Sequence, residues 1–191
     1  MASRKPASDR AGTKVGPVTP DGRSISSALE AISELAARPH SLNDVLEAAL
    51  DQVSKATRAG LVQLLLVDEG SGGLRVVAQR GTMEAVDPQD EVALGVALAA
   101  GVVDAGQIVL LDDLSRHPFP AGMTVGKPSA QAYLGLPLQA AGETVGAINL
   151  FIPGDLRFEA ADAAALSATG RLVAMAVQNR KKDTQPKCLA M

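Results

Sequence analysis

The sequence predicts an α+β fold, and three observations carry that prediction. Ala130 to Pro153 reads as strand, turn, strand: Leu134, Leu136 and Leu138 alternate with Tyr133, Gly135 and Pro137, and a second apolar run follows from Thr144 to Ile152. A similar pair of runs, Leu61 to Val67 and Leu74 to Arg80, flanks the turn-forming segment Asp68-Glu69-Gly70-Ser71-Gly72-Gly73. Outside both pairs, at either end of the chain, lie segments of helical periodicity.

Taken in order, residues 1–23 are rich in Pro, Gly, Ser, Lys and Arg and nearly devoid of apolar side chains, so they are expected to be a disordered basic tail. From residue 24 to 182 the chain reads as one domain, with a short flexible tail at 183–191. Ile25, Leu29, Ile32 and Ala36 recur at helical spacing and end at Arg38-Pro39. Ser41 caps a second helix, with Asp44 placed to reach back as in a capping box. Leu42, Val45, Leu46, Ala49, Leu50 and Val53 form its buried face, and it ends between Thr57 and Gly60.

The first pair of strands follows, then a polar loop from Gly81 to Asp90. Glu91 to Val103 has helical character interrupted by two glycines, so a short or irregular helix is expected, and Gln107 to Leu111 reads as a third strand. Asp112 to Ser129 carries three prolines and two glycines. Long ordered loops of this kind usually cover or line a site. In the last strand Val145, Ala147, Asn149 and Phe151 face one way and Gly146, Ile148, Leu150 and Ile152 the other, so both faces should be buried. Gly142 is free to take positive φ in the turn before it, and Pro137 argues for a bulge or an edge position. The final helix spans Glu159 to Lys182, with acids in its first turn and bases in its last, both favourable to the helix dipole. Its stripe Leu166, Val173 and Val177, together with Ile25, Leu29 and Ile32 near the other end, either forms a homodimer interface or packs on the sheet.

Composition narrows function by exclusion. Aromatics make up 2% of the 191 residues and there is no Trp, so the core is built from aliphatic side chains. Each end carries a net +3 and the whole −3, leaving −9 for the body. The basic ends lack aromatic residues that would stack on bases, so nucleic acid is not an expected partner and the ends read as solvated tails. No apolar run is long enough to span a membrane and the N-terminus has no apolar signal core, so a cytoplasmic location without membrane attachment is expected. Cys188 is the single cysteine, which rules out an intrachain disulfide and a cysteine metal cluster. Cys188-Leu189-Ala190-Met191 fits a prenylation pattern. The Ala-, Gly-, Val- and Asp-rich composition points to a bacterial chain, so that match reads as coincidence.

Three stretches in this order resemble the GAF domain family of small-ligand sensor modules. They are LVQLLLVDEGSGGLRVVAQRG, AAGVVDAGQIVLLDDLSRHPFP, and YLGLPLQAAGETVGAINLF with RFEAADAAALSATGRLVAMAVQN after it, and the likeness covers residues 27–179. It implies an antiparallel sheet with the N- and C-terminal helices on one face. On the other it implies a ligand pocket roofed by the segment from Asp90 to Ala130. Cyclic-nucleotide-binding members carry an Asn-Lys pair and then Phe, three residues and Asp-Glu; here Phe158 and Asp162 match, but Ala163 replaces the Glu and no Asn-Lys precedes. Bilin attachment and free methionine-sulfoxide reduction both call for a cysteine in or near the domain body, where this chain has none. Haem-binding relatives use a histidine, for which His117 is the loop candidate, though a histidine in a Pro-rich loop is more often a surface residue.

No Ser-His-Asp set, phosphate loop or workable carboxylate pair is present, so no enzyme activity and no cofactor are expected. A bound ligand is expected to touch Asp113, His117, Phe119, Met123 and Tyr133, which gather apolar anchors and a few polar groups where the backbone is least regular. The bland alternatives are that Asp113 is a turn cap and that Phe119 and Met123 plug the loop onto the core. Two functions remain open. One is a sensor that binds a small, mostly apolar ligand and signals to a separate partner protein through its end helices. The other is a ligand-free adaptor that keeps the fold as a dimerisation and protein-binding platform. No output domain is recognisable after Asn179, which strengthens the adaptor.

Overall fold

A computed structural model describes residues 41–83, 86–114, 117, 130–153 and 160–184, with isolated positions at 27, 30 and 34. Side chains near the ends of the last two segments are described only over 132–153 and 165–179. The seam Ile25, Leu29 and Ile32, the residues Phe119 and Met123, the predicted N-terminal tail and residues 185–191 lie outside the described residues, while Asp183 and Thr184, predicted as the start of the C-terminal tail, are helical.

The first described helix, α1 (Leu42–Thr57), starts where the sequence signals it. The Asp44 backbone N–H donates to Ser41 Oγ at 3.2 Å and the Ser41 N–H to Asp44 Oδ2 at 3.1 Å, so two donors that the helix cannot satisfy are both paired. It stops at Arg58, which turns left-handed with φ of 54°. Strands β1 (Leu61–Val67) and β2 (Leu74–Gly81) then form a hairpin. In its turn the Asp68 carboxylate accepts the Ser71 N–H, the Ser71 hydroxyl and the Gly70 N–H, which together hold its pKa below the usual carboxylate value.

Helix α2 (Pro88–Ala105) corrects the expectation of a short, irregular helix. It is regular over 18 residues and begins three positions before the predicted start, with Asp87 accepting the Gln89 N–H and Pro88 in the first helical position. The short strand β3 (Val109–Leu111) is followed by β4 (Ala130–Ala140) and β5 (Glu143–Pro153). Ala141 and Gly142 join the last two with φ of 53° and 85°, the paired positive values of a two-residue turn that matches strand twist. Helix α3 (Ala160–Thr184) closes the described chain.

The sheet order is β2-β1-β5-β4-β3 and every neighbouring pair is antiparallel. β5 is therefore central, and all residues from Val145 to Ile152 are buried, as its two apolar sides predict. Pro137 pairs with Ala147 of β5, but pairing to β3 on its other flank ends at Gly135, and the register shifts at Leu138/Gln139. The proline thus sits one residue before a bulge and beside an uncovered flank, where a missing N–H leaves no ladder bond broken.

Each face of the sheet carries its own core. Val62, Leu64, Leu134, Leu136, Ile148 and Leu150 point to the side covered by α1 and α3. Leu166, Val173 and Val177 of α3 are fully buried against that side, so the stripe weighed as a dimer interface is covered by the protomer's own sheet. The opposite side, with Leu61, Leu65, Ala147 and Phe151, is covered by α2 through Leu94, Leu98, Ala99 and Val102.

Candidate functional site

The face beneath α2 holds a feature that alternation alone does not reveal. Gln79, Gln63, Asn149 and Gly135 stand directly opposite one another on β2, β1, β5 and β4. Because side chains in register share a face, this makes a row of three amides and a glycine across four strands. Gln63 and Asn149 are fully buried, in a core that is otherwise apolar. A buried amide is costly unless its hydrogen bonds are made, and most of these are.

Asn149 Oδ1 accepts the Tyr133 hydroxyl at 2.7 Å, while Asn149 Nδ2 donates to the Gly95 carbonyl at 2.8 Å. Gln63 Nε2 donates to Gln79 Oε1 at 3.1 Å and to the Glu91 carbonyl at 3.3 Å. The two helix carbonyls lie four residues apart, one turn along α2, so the row grips the helix by its main chain. Gln79 Nε2 in turn donates to the buried Glu91 carboxylate at 3.1 Å, and the other oxygen of that carboxylate accepts the Met83 N–H. Glu91 thereby fastens the loop before α2 to the helix itself.

One buried atom is left over. Gln63 Oε1 has no hydrogen-bond partner. Flipping the amide would not help, because Nε2 already faces two acceptors. Oε1 lies against Gly95, where a Cβ would come within 1.9 Å of it, so a side chain here would have to displace the Gln63 amide from its bonds or lift α2. The glycine that suggested irregularity is thus a packing residue.

Tyr133, a predicted ligand contact, is fully buried in this arrangement, its ring 5.5 Å from that of Phe151 and tilted by 55°. Burial pushes its hydroxyl pKa well up, so it stays a neutral donor to Asn149. Asp113 and His117 are half-buried just beyond β3, where the His117 N–H donates to the Leu114 carbonyl at 3.1 Å. Phe119 and Met123 lie outside the described residues, so of the five predicted contacts three are placed, with Tyr133 hydrogen-bonded to the row through Asn149 and the other two just beyond the adjoining edge strand. Gln63, Gln79 and Asn149 were missed. Gln63 and Asn149 are each a polar residue inside an apolar run, which is the signal that would have found them, whereas Gln79 shares its strand with Arg75 and Arg80. No group of three or more His, Cys, Asp or Glu suited to a metal occurs among the described residues, and no helix there is long and apolar enough to cross a membrane.

The sequence model of the GAF domain matches residues 39–178, from the edge of α1 to the last turns of α3. The chain belongs to the GAF domain family. Solved structures agree in fold. The GAF domain of an Acinetobacter phosphoenolpyruvate-protein phosphotransferase superposes with a TM-score of 0.68 at 18% identity, over 84% of this chain and 96% of that one. A GAF sensor protein from Burkholderia vietnamiensis gives 0.65 at 19% identity over 84% and 98%. Free methionine-R-sulfoxide reductase from Neisseria meningitidis, in complex with its substrate, gives 0.68 at 17% identity over 96% and 99%. Among curated proteins, none matches the sequence. At these identities the likeness is one of fold, a GAF fold that serves as a regulatory domain in some neighbours and an enzyme in others.

Proposed function

We propose that this GAF domain is a non-catalytic regulatory module that binds a small ligand between its sheet and α2, and passes the bound state to a partner protein through its end helices. The observation that carries this reading is the buried amide row with its unpartnered Gln63 Oε1. Gln63 and Asn149 are satisfied by helix carbonyls that α2 already pairs internally, so withdrawing the helix orphans the amides and not the helix. A ligand that offers acceptors to Gln63 Nε2 and Asn149 Nδ2, and a donor to Gln63 Oε1, would replace the helix contacts and satisfy the leftover atom as well. An uncharged polar group on an otherwise apolar body fits that requirement. Asp113, His117 and Tyr133, with Phe119 and Met123 from the covering segment, complete the proposed site.

The second reading, an adaptor without ligand, draws support from the apolar side chains of Leu94, Leu98, Ala99 and Val102, which already pack between helix and sheet. Enzyme activity of the sulfoxide-reductase kind is not proposed, since a lone cysteine offers no second thiol for an intrachain disulfide. Thermal unfolding in the presence of cyclic nucleotides, haem and small metabolites separates the readings. A sensor gains about 2.7 kcal/mol at a ligand concentration one hundred times Kd. An adaptor gains nothing from any of them.

A further inference from the structure

A second concavity lies on the sheet edge, apart from the face beneath α2. It encloses about 340 Å³ between the C-terminal end of α2, the start of β3, the outer flank of β4 and α3, with Gly106, Ile108, Pro137, Gln139, Ser167 and Arg171 on its walls. That volume is in the range of small-molecule sites, which run from about 300 to 1,000 Å³.

The sequence accounts for the opening. Pairing between β3 and β4 stops at Val109 and Gly135, and Pro137 has no N–H with which to extend it. The chain leaves α2 through Gly106 at φ of 60°, and Gln139 Nε2 holds that turn by donating to the Gly106 carbonyl at 2.7 Å. On the other side α3 comes close to β4 at Gly170, where a Cβ would stand 3.0 Å from the Pro137 carbonyl oxygen. This close approach brings Ser167 and Arg171, one helical turn apart, over the gap.

Arg171 is the only charged residue on the walls, and among the described residues no carboxylate pairs with it. Its own helix carries no Asp or Glu from Ala165 to Asn179. This guanidinium, without a carboxylate partner among the described residues, stands over a groove with two amides, Gln107 and Gln139, and two apolar walls, Ile108 and Pro137. A guanidinium matches a carboxylate with two parallel hydrogen bonds.

We propose that this groove binds a small organic acid, its carboxylate on Arg171 and its hydrocarbon part against Ile108 and Pro137. Such a ligand would touch α3 and the segment that leaves α2 through its cap residue Gly106. The proposal stands whether or not the face beneath α2 takes a ligand of its own.

The test uses the full chain with succinate as the probe, and inorganic phosphate and chloride at matched ionic strength as comparisons. Titration calorimetry and thermal unfolding should show saturable succinate binding and a raised Tm, with neither from chloride and weaker binding of phosphate. Arg171 is exposed, so Arg171→Gln should unfold at the unliganded temperature yet bind succinate about tenfold more weakly or worse. Arg75→Gln, the same charge change at an exposed position of β2 on the opposite edge of the sheet, should bind succinate as the unmodified chain does. Absence of saturable binding, an undiminished shift in Arg171→Gln, phosphate binding as tight as succinate, or an equal loss in Arg75→Gln would each overturn the assignment.

Discussion

Gly95 and Gly101 sit in the same helix and should respond in opposite ways to one added methyl group. At Gly95 the new Cβ would meet Gln63 Oε1 at 1.9 Å, so Gly95→Ala must either break the Gln63 amide's bonds or lift α2, and should lower stability by about 1–3 kcal/mol. At Gly101 the Cβ enters open space, and Gly101→Ala should raise stability by about 0.5–1 kcal/mol through helix propensity. Urea unfolding of the two variants checks both signs. Tyr133 gives a second residue-level prediction. Tyr133→Phe leaves Asn149 Oδ1 buried without a donor, at a cost of about 1–3 kcal/mol. Tyr133 is the single tyrosine and there is no Trp, so tyrosinate absorbance reports this hydroxyl alone. Its folded pKa lies above the unfolded value of about 10. Its contribution is therefore complete below pH of about 10 and is lost as pH rises past that value, since only the unfolded chain releases the proton there. Tyrosinate should appear together with unfolding, and a titration near pH 10 in the folded protein would contradict the burial described.

At the scale of elements, α1 depends on its capping box. Ser41→Ala should cost about 0.5–2 kcal/mol, read from the urea midpoint, while Leu64→Ala in β1 should cost about 2–5 kcal/mol. The strands and α1 were legible because their signals are local: alternation, a cap and a turn glycine. α2 was legible only in part. Asp87-Pro88 is a cap followed by a first-turn proline, a start signal that the search for periodicity passed over, and Gly95 reads as a breaker until the residue it touches is known. The amide row was not legible, because Gln79, Gln63 and Asn149 belong to three strands and meet only through pairing across 16 and 86 positions of sequence. The likeness to GAF domains placed the two end helices on one face of the sheet and the segment containing α2 on the other, and the helices lie so. It could not show that α2 sits directly on the sheet.

For the whole molecule, the question is how a change beneath α2 reaches a partner. α3 is tied to the sheet by Leu166, Val173 and Val177 and by Gln178 Nε2, which donates to the Ala140 carbonyl at 2.9 Å. A second copy would therefore have to meet the outer side of α3, where Met175 is 55% exposed, together with the seam at Ile25, Leu29 and Ile32. On the proposed dimer, Leu29→Glu should give a folded monomer by light scattering at micromolar concentration, whereas Val173→Asp should unfold the protomer by burying an unpaired charge. An unmodified chain that is monomeric at that concentration would exclude the dimer.

Binding beneath α2 requires the helix to lift from its polar floor without unfolding the sheet. Native-state hydrogen exchange of the full chain measures this most directly, because it resolves the opening free energy of each element. The amides of residues 89–105 should exchange through an opening of lower free energy than those of β1, β4 and β5, with no increase in exchange of the central strands. If α2 is as protected as β5 and exchanges only with global unfolding, it is a fixed part of the core and the regulatory site beneath it is contradicted.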